Sequence, residues 1–469
     1  MKRKPTIWEA VSTILFLTVV VGIGFAYLKI PIQPLLILAA AYAAFIALRT
    51  GLTWQDMEDG IIDKLKSAMP AVFILFSVGT IIGTWIFSGT VPMMIYFGLK
   101  IIDPNFFLVT AFGIAALLSI ATGSAWGSTA TAGVALIGIA AQLDIPLGMA
   151  AGAIISGGVF GDKLSPLSDT TNLAPLVVDV NLYDHIKHML FTTLPASIIG
   201  IIIWGGLGLK VSSGTDTNNT AVNSMLTQLD SIFNWNVFML LPFIIILWGA
   251  FKKRPTVPFM LLSSFVAIFV GVFSNGFSFV DGMVASANGF DISMIKHQGF
   301  NSDKLSETVV SLINRGGIFS MTTIVVTIFC GYAFAGIVDV AGCLHVMLEK
   351  FFGNVKTPTQ LVGTTILAST IIVFTSGVAT ISIIMIGVLL KDKYIEQGLH
   401  TKNLSRTLED AGTMLLPFVP WGVSGVFYLE ILGVSVGEYW IWAIPCYLCI
   451  VFAMIYAKTG IGLAKAKKA

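Results

Sequence analysis

Residues 161–172 read GDKLSPLSDTTN and lie between the apolar runs AAGAIISGGVF and LAPLVVDV. Asp162, Lys163 and Asp169 place three charges in a stretch otherwise hydrophobic enough to sit inside a bilayer. A charge at the bilayer centre costs roughly 2.5–3.5 kcal/mol on insertion scales, so three together point to function. Two carboxylates with the oxygens of Ser165, Thr170, Thr171 and Asn172 form a donor set for a hard cation or a proton. Pro166 cannot donate a backbone hydrogen bond to residue 162, so the helix must break within the charged stretch.

The elements that hold such a stretch are membrane helices. The chain has 469 residues, 56% of them hydrophobic and 11% charged, and its mean hydropathy is +0.88. Soluble domains carry about 25% charged residues. Runs such as 11–28 and 441–457 approach the roughly 20 residues a helix needs to cross a bilayer, and none alternates as barrel strands do. The expected fold is an all-α polytopic membrane protein. The net charge of +2 says little about partners, but no block of basic residues suits nucleic acid, and no such partner is expected. The four cysteines lie in apolar segments, and Cys446-x-x-Cys449 has no second ligand pair for zinc. The basic N-terminus lacks a small-residue cleavage site after its apolar run, so the first helix is expected to be retained.

The chain is written twice. The Pro-x-x-Pro opening of 31–48 recurs at 255–272, an offset of 255 − 31 = 224. Residues 60–76 resemble 308–324 at 308 − 60 = 248, which places an insertion of 24 residues near 285–304. Pro166 matches Pro420 at 420 − 166 = 254. The repeats are expected at 1–212 and 213–469. Lysines 2 and 4 with Arg3 set the N-terminus in the cytoplasm, Lys29 alone marks the first loop as external, and residues 252–254 (KKR) mark its counterpart as internal. The halves are therefore read as inverted, with Lys458, Lys465, Lys467 and Lys468 keeping the C-terminus cytoplasmic. Inverted repeats with broken helices are a transporter architecture whose sites form near the midplane.

Two further breaks are expected. Residues 106–121 and 131–143 flank TGSAWGST (122–129), and each flank is short for a full crossing, which suggests a re-entrant hairpin. Its tip carries Thr122, Ser124, Ser128 and Thr129; the second half repeats it with Thr375, Ser376 and Thr380. Glycines 157, 158 and 161 are expected to loosen the helix before the charged break. Its repeat, PFVPWGVSG (417–425), keeps the prolines and glycines without charge. The count is about ten crossings and two hairpins.

GDKLSPLSDTTN, with AGAIISGGVF before it and LAP after it, closely resembles the signature of the NhaC family of sodium/proton antiporters. The resemblance extends through IIGTWIFSGTVPMMIYFG (81–98) and the TGSAWGSTATAG tip, and more loosely over the second half. It implies sodium/proton exchange across the cytoplasmic membrane of a prokaryote, in a fold with two hairpins. Some similar proteins exchange malate and lactate together with protons and sodium. The cation and proton site is then expected at Asp169 and Asp162 with Thr122, Ser124, Ser165, Thr170, Thr171, Asn172, Thr375 and Ser376. Asp169, with no neighbouring cation, is the favoured coupling carboxylate, and Asp162 is expected to pair with Lys163. Lys163 is otherwise a charge-balancing or anion-holding group. Protons and sodium compete for one carboxylate reached alternately from each side, and that competition is antiport.

Asp410 and the isolated Asp339 are candidate proton relays, with Arg406 expected to pair near Glu409 and Asp410. His185 and His188 are read as a solvated helix end, residues 54–68 as a helix lying on the cytoplasmic surface, and residues 211–225 as a mobile linker. No nucleophile–base pair, metal cluster or GxxxxGK[ST] loop points to an enzyme or to direct ATP drive. The expected partners are lipid, Na+, H+ and, in the alternative reading, small organic anions. No cofactor or transition metal is expected, and a homodimer is compatible with the sequence.

Overall fold

The computed structural model describes residues 3–28, 30–212, 219–252, 254–296, 300, 305–352 and 355–466, all of its regular elements being helical. The orientation markers Lys2, Lys29, Lys253, Lys467 and Lys468, together with His297, lie outside the described residues, as do residues 213–218, where the two repeats were expected to meet.

The first half begins with α1 (Ile7–Val21), opened by a capping box between Thr6 and Glu9, and α2 (Ile32–Arg49). Thr53 and Asp56 form a second capping box that starts α3 (Trp54–Phe87). With neither a glycine–proline pair nor a cap signal between 54 and 87 to stop it, α3 runs unbroken for 34 residues. Residues 54–68 are therefore its N-terminal half and not a separate surface helix. After α4 (Thr90–Ile101) come the first hairpin arm, α5 (Phe107–Thr122), and the second arm, α6 (Ala125–Ser128), which a π-helical turn joins to α7 (Val134–Gln142). The broken helix is α8 (Leu147–Leu164) and α9 (Asp169–Val177), and α10 (Leu182–Ser212) closes the half.

The second half has α11 (Asn219–Ile232), α12 (Leu241–Phe251) and α13 (Thr256–Asn275). The described part of the expected linker is thus mostly helix. Then follow α14 (Phe279–Asn288), α15 (Glu307–Ile313), α16 (Thr322–Val340) and α17 (Cys343–Phe352). The second hairpin is α18 (Pro358–Ser376) and α19 (Ala379–Glu396). The second broken helix is α20 (Lys402–Ala411) and α21 (Val423–Leu432), followed by α22 (Val436–Tyr439) and α23 (Ile444–Thr459).

Backbone landmarks repeat with a nearly constant offset. Gly123 and Gly377 (377 − 123 = 254), Asp144 and Gly398 (398 − 144 = 254), and Asp179 and Gly433 (433 − 179 = 254) all have positive φ. The caps Thr53 and Ser306 stand 306 − 53 = 253 apart. Set against the offset of 224 at the proline pairs, the extra segment is 253 − 224 = 29 residues and includes α14, which packs on α3. The insertion is longer and starts earlier than the match at 60–76 suggested, because apolar helix sequences align with one another in several registers. Packing also exchanges the halves: α2 lies on α16 as α13 lies on α3, and α9 lies on α19 as α21 lies on α7.

Among the described residues, eight helices are long and apolar enough to cross a membrane, or up to ten if each of two bent pairs is one span. Large apolar side chains such as Phe45, Leu117, Ile202 and Phe273 face outward, as a lipid-facing surface requires. The protein is a polytopic helical membrane protein. The first hairpin arms, with 16 residues in α5 and 19 in α18, reach about 24–28 Å at 1.5 Å per residue. The arm at 106–121 was expected to be short for a full crossing, but the helix runs up to the tip glycine in both halves.

Candidate functional site at the two hairpin tips and helix breaks

Both tips are built alike. Gly123 and Gly377 adopt the left-handed conformation (φ 68° and 70°), and the next residues, Ser124 and Val378, are extended before a new helix starts. Only glycine takes that φ without strain. At Gly123 a Cβ would also stand 2.6 Å from the carbonyl carbon of Leu167, so the first tip is pressed against the charged break. Glycines 157 and 161 serve the same approach. A Cβ on either would lie 2.3 Å from a carbonyl oxygen of α5, Phe112 or Ala116. They do not loosen α8, which is continuous to Leu164; they let α5 come close.

Three residues of the motif hold the break rather than face a ligand. Ser165 Oγ donates to Ile120 O at 2.8 Å, tying the break to α5. Thr171 Oγ1 donates to Lys163 O at 3.0 Å, covering a carbonyl at the end of α8. Asn172 Nδ2 donates to Pro166 O and Ser168 O at 2.8 and 2.7 Å. Such side-chain bonds replace the ladder that Pro166 interrupts.

The tips and breaks of both halves meet around one cavity of about 260 Å³. Asp162, Ser168, Asp169 and Thr170 come from the first break and Thr413 from the second; Ser124 and Thr380 come from the hairpins, and Tyr332 from α16. No Lys, Arg or His lines it among the described residues. A larger cavity of about 490 Å³ shares Ser124 and Asp169 and adds Thr122, Thr131, Arg254 and Thr256. Asp169 is exposed at the junction of the two, whereas Asp162 is half-buried. Thr375 and Ser376 are buried and line neither cavity; their hydroxyls bond to Ile371 O at 2.5 Å and Val378 O at 3.2 Å.

Lys163 does not pair with Asp162. It is fully buried and forms an ion pair and hydrogen bond with Asp410 of α20, which also accepts from Thr192 Oγ1 at 2.9 Å. Successive residues on a helix point in different directions, so adjacency in sequence does not make a pair. Asp410 is therefore a structural partner lining neither cavity, which does not suit the relay expected of it. Arg406 Nε lies 4.0 Å from Asp410 Oδ2, and its Nη1 donates to Gly462 O at 2.9 Å. Asp339 is not isolated: it pairs with Lys64 at 2.7 Å and is 41% exposed, away from both cavities. His185 and His188 are buried, bonded to Ser405 at 2.8 Å and Asn403 at 3.0 Å across the halves, so they do not form a solvated end.

Sequence reasoning passed over Ser168 and Thr413 as site residues and noted Thr380 only as part of the tip. Ser168 stands just before the first residue of α9, a capping position whose hydroxyl makes no cap bond and lies 3.4 Å from Thr170 Oγ1. For Thr413 the only signal was its place four residues after Glu409, one helical turn on. Tryptophans brace the tips, Trp126 across the halves and Trp421 within the second half. Trp126 Nε1 donates to Ser424 Oγ at 3.1 Å, and Trp421 Nε1 to Phe374 O at 2.8 Å. We expect Trp126→Phe to keep the fold while lowering transport severalfold, the size of about 1 kcal/mol for one lost neutral hydrogen bond; unchanged transport in proteoliposomes would show that the brace is dispensable.

The chain matches the Na+/H+ antiporter family over residues 4–171 and 157–461. It is 42% identical to an uncharacterized Na+/H+ antiporter of Haemophilus influenzae, over 99% of this chain and 98% of the relative. It is 34% identical to the Na+/H+ antiporter NhaC of Alkalihalophilus pseudofirmus, over 93% and 91% of the two chains. The malate-2H+/Na+-lactate antiporter of Bacillus subtilis is 32% identical, over 98% of this chain and 96% of the relative. With both halves matched and relatives covered nearly end to end, the chain belongs to the Na+/H+ antiporter family.

Proposed function

We propose that this protein exchanges Na+ for H+ across a prokaryotic cytoplasmic membrane by alternating access to the cavity between the tips and breaks. The observation that carries this reading is the lining of that cavity: two carboxylates and several hydroxyls, with no basic side chain in the lining among the described residues. Sodium is satisfied by such hard oxygens, and a proton occupies the same carboxylate when sodium leaves. Asp162, half-buried and free of Lys163, is the better placed coupling group; Asp169 guards the junction with the larger cavity. This reverses the order suggested by sequence, where Lys163 stands next to Asp162. With residues 252–254 on the cytoplasmic side, the larger cavity, lined by Arg254 and Thr256, is the cytoplasmic vestibule.

The malate/lactate reading is less well supported. An organic dianion would meet Asp162 and Asp169, and the lysine suited to hold it is committed to Asp410. The test is purified protein in liposomes loaded with a pH-sensitive dye. Sodium alone should move protons; an absolute requirement for malate or lactate would overturn the proposal.

Thr122 lines the vestibule and Thr375 does not, so the two valine substitutions should differ. Thr122→Val should raise the apparent Km for sodium about fivefold, the size of one lost neutral ligand near 1 kcal/mol. Thr375→Val should leave Km unchanged. Equal Km values for both variants and wild type would remove the first tip from the ion path. Cytoplasmic termini predict that cysteines at Arg3 and Lys465 react with an impermeant maleimide only after the cells are permeabilised. Labelling of either in intact cells would reverse the orientation.

A further inference from the structure

Glu409 of α20 is fully buried, and neither of its carboxylate oxygens has a hydrogen-bond partner. An ionised carboxylate in such a place is costly unless something completes it. Neither cation of the buried cluster bonds to it, although Arg406 Nε and Nη2 are themselves without a hydrogen-bond partner. Lys163 is committed to Asp410, and Arg406 sends Nη1 to Gly462 O. The formal charges of Lys163, Arg406, Asp410 and Glu409 cancel, yet neither cation forms an ion pair with Glu409, so the quartet neutralises it only at a distance.

What does lie against Glu409 are two hydroxyls, Thr413 and Thr170. Both also line the cavity that holds Asp162, and Asp162 lies close enough to feel the Glu409 charge. Thr413 Oγ1 is itself buried without a partner. Two carboxylate oxygens and two hydroxyls thus converge behind the wall of the cavity, one hydroxyl from each helix break. All are hard oxygens, suited to Na+ rather than to a transition metal.

We propose that Glu409, Thr413 and Thr170 form a second cation site for sodium, adjoining the one at Asp162. The inference rests on the sodium-exchange reading above. It also completes the symmetry of the molecule in an unexpected way. The second break has no charge of its own, but the helix leading into it delivers a carboxylate to the same place as the charged first break. Two sites sharing a wall of threonines would bind sodium in a coupled manner, with more than one ion per cycle.

The test is equilibrium binding of 22Na+ to the purified full chain in detergent. Wild type should bind two ions per chain. E409Q should bind one and lose at least tenfold in apparent affinity for the other, with its monodispersity retained. T413V should weaken the same phase severalfold. Wild-type stoichiometry and affinity in E409Q, with or without a lower melting temperature, would overturn the proposal and leave Glu409 a structural residue. If E409Q is not monodisperse, E409D and T413V carry the test, and sodium binding unchanged in both overturns it. The exchange reading fails separately: wild type that binds 22Na+ but moves no protons sinks exchange without touching the site, whereas wild type that binds no sodium sinks both.

Discussion

Asp162→Asn should lose sodium-dependent proton flux altogether while remaining folded. The asparagine keeps the shape and hydrogen-bonding capacity of the aspartate but supplies no charge to sodium and cannot exchange a proton. Removing one partner of a desolvated charge pair costs about 3 kcal/mol or more, on the order of a hundredfold in apparent sodium affinity. The effect should exceed that of Asp169→Asn, because Asp169 is exposed where the two cavities join and water can stand in for it. There we expect a raised Km and residual exchange. The check is proton flux in proteoliposomes over a range of sodium concentrations. Wild-type flux in Asp162→Asn with a dead Asp169→Asn would return the coupling role to Asp169.

The second large effect concerns the buried pair of Lys163 and Asp410. Lys163→Met leaves Asp410 buried with only Thr192 and a distant Arg406 to face it. Breaking a buried pair in this way costs about 3–5 kcal/mol, whereas replacing both members is often close to neutral. Lys163→Met should therefore lower thermal stability sharply, and Lys163→Met with Asp410→Leu should recover most of it. Because neither residue lines a cavity, the double variant should also transport sodium. Fluorescence-detected melting and flux assays on the same preparations read both outcomes. A double variant as unstable as the single one, or stable but inactive, would show that the pair does more than hold α8 against α20.

These two predictions rest on features with different visibility in sequence. The charged break was legible because Pro166 and three charges in an apolar run are each rare inside a membrane, and the tips because glycines stand between apolar arms. Offsets that change only by one insertion pointed to the repeat, and the positive-φ landmarks at 123/377, 144/398 and 179/433 each stand 254 residues apart. The partner of Lys163 was not legible, since it lies 247 residues away and only packing of α8 on the second half brings it near. The same holds for His185 and His188, whose Ser405 and Asn403 partners come from α20. Glycines 157 and 161 were seen as weak points, although their purpose is contact; a glycine looks the same in sequence whether it bends its own helix or admits another. Residues 54–68 were separated from α3 because their charges suggested a surface, while the backbone continues without interruption.

Uptake of 22Na+ against its concentration gradient, driven only by an imposed proton gradient, tests the central claim most directly. Liposomes containing wild-type protein, with an acidic interior and equal sodium on both sides, should accumulate 22Na+ as protons leave, and Asp162→Asn liposomes should not. Accumulation that is absent in wild type, or equal in wild type and Asp162→Asn, would contradict exchange at the cavity between the tips and breaks.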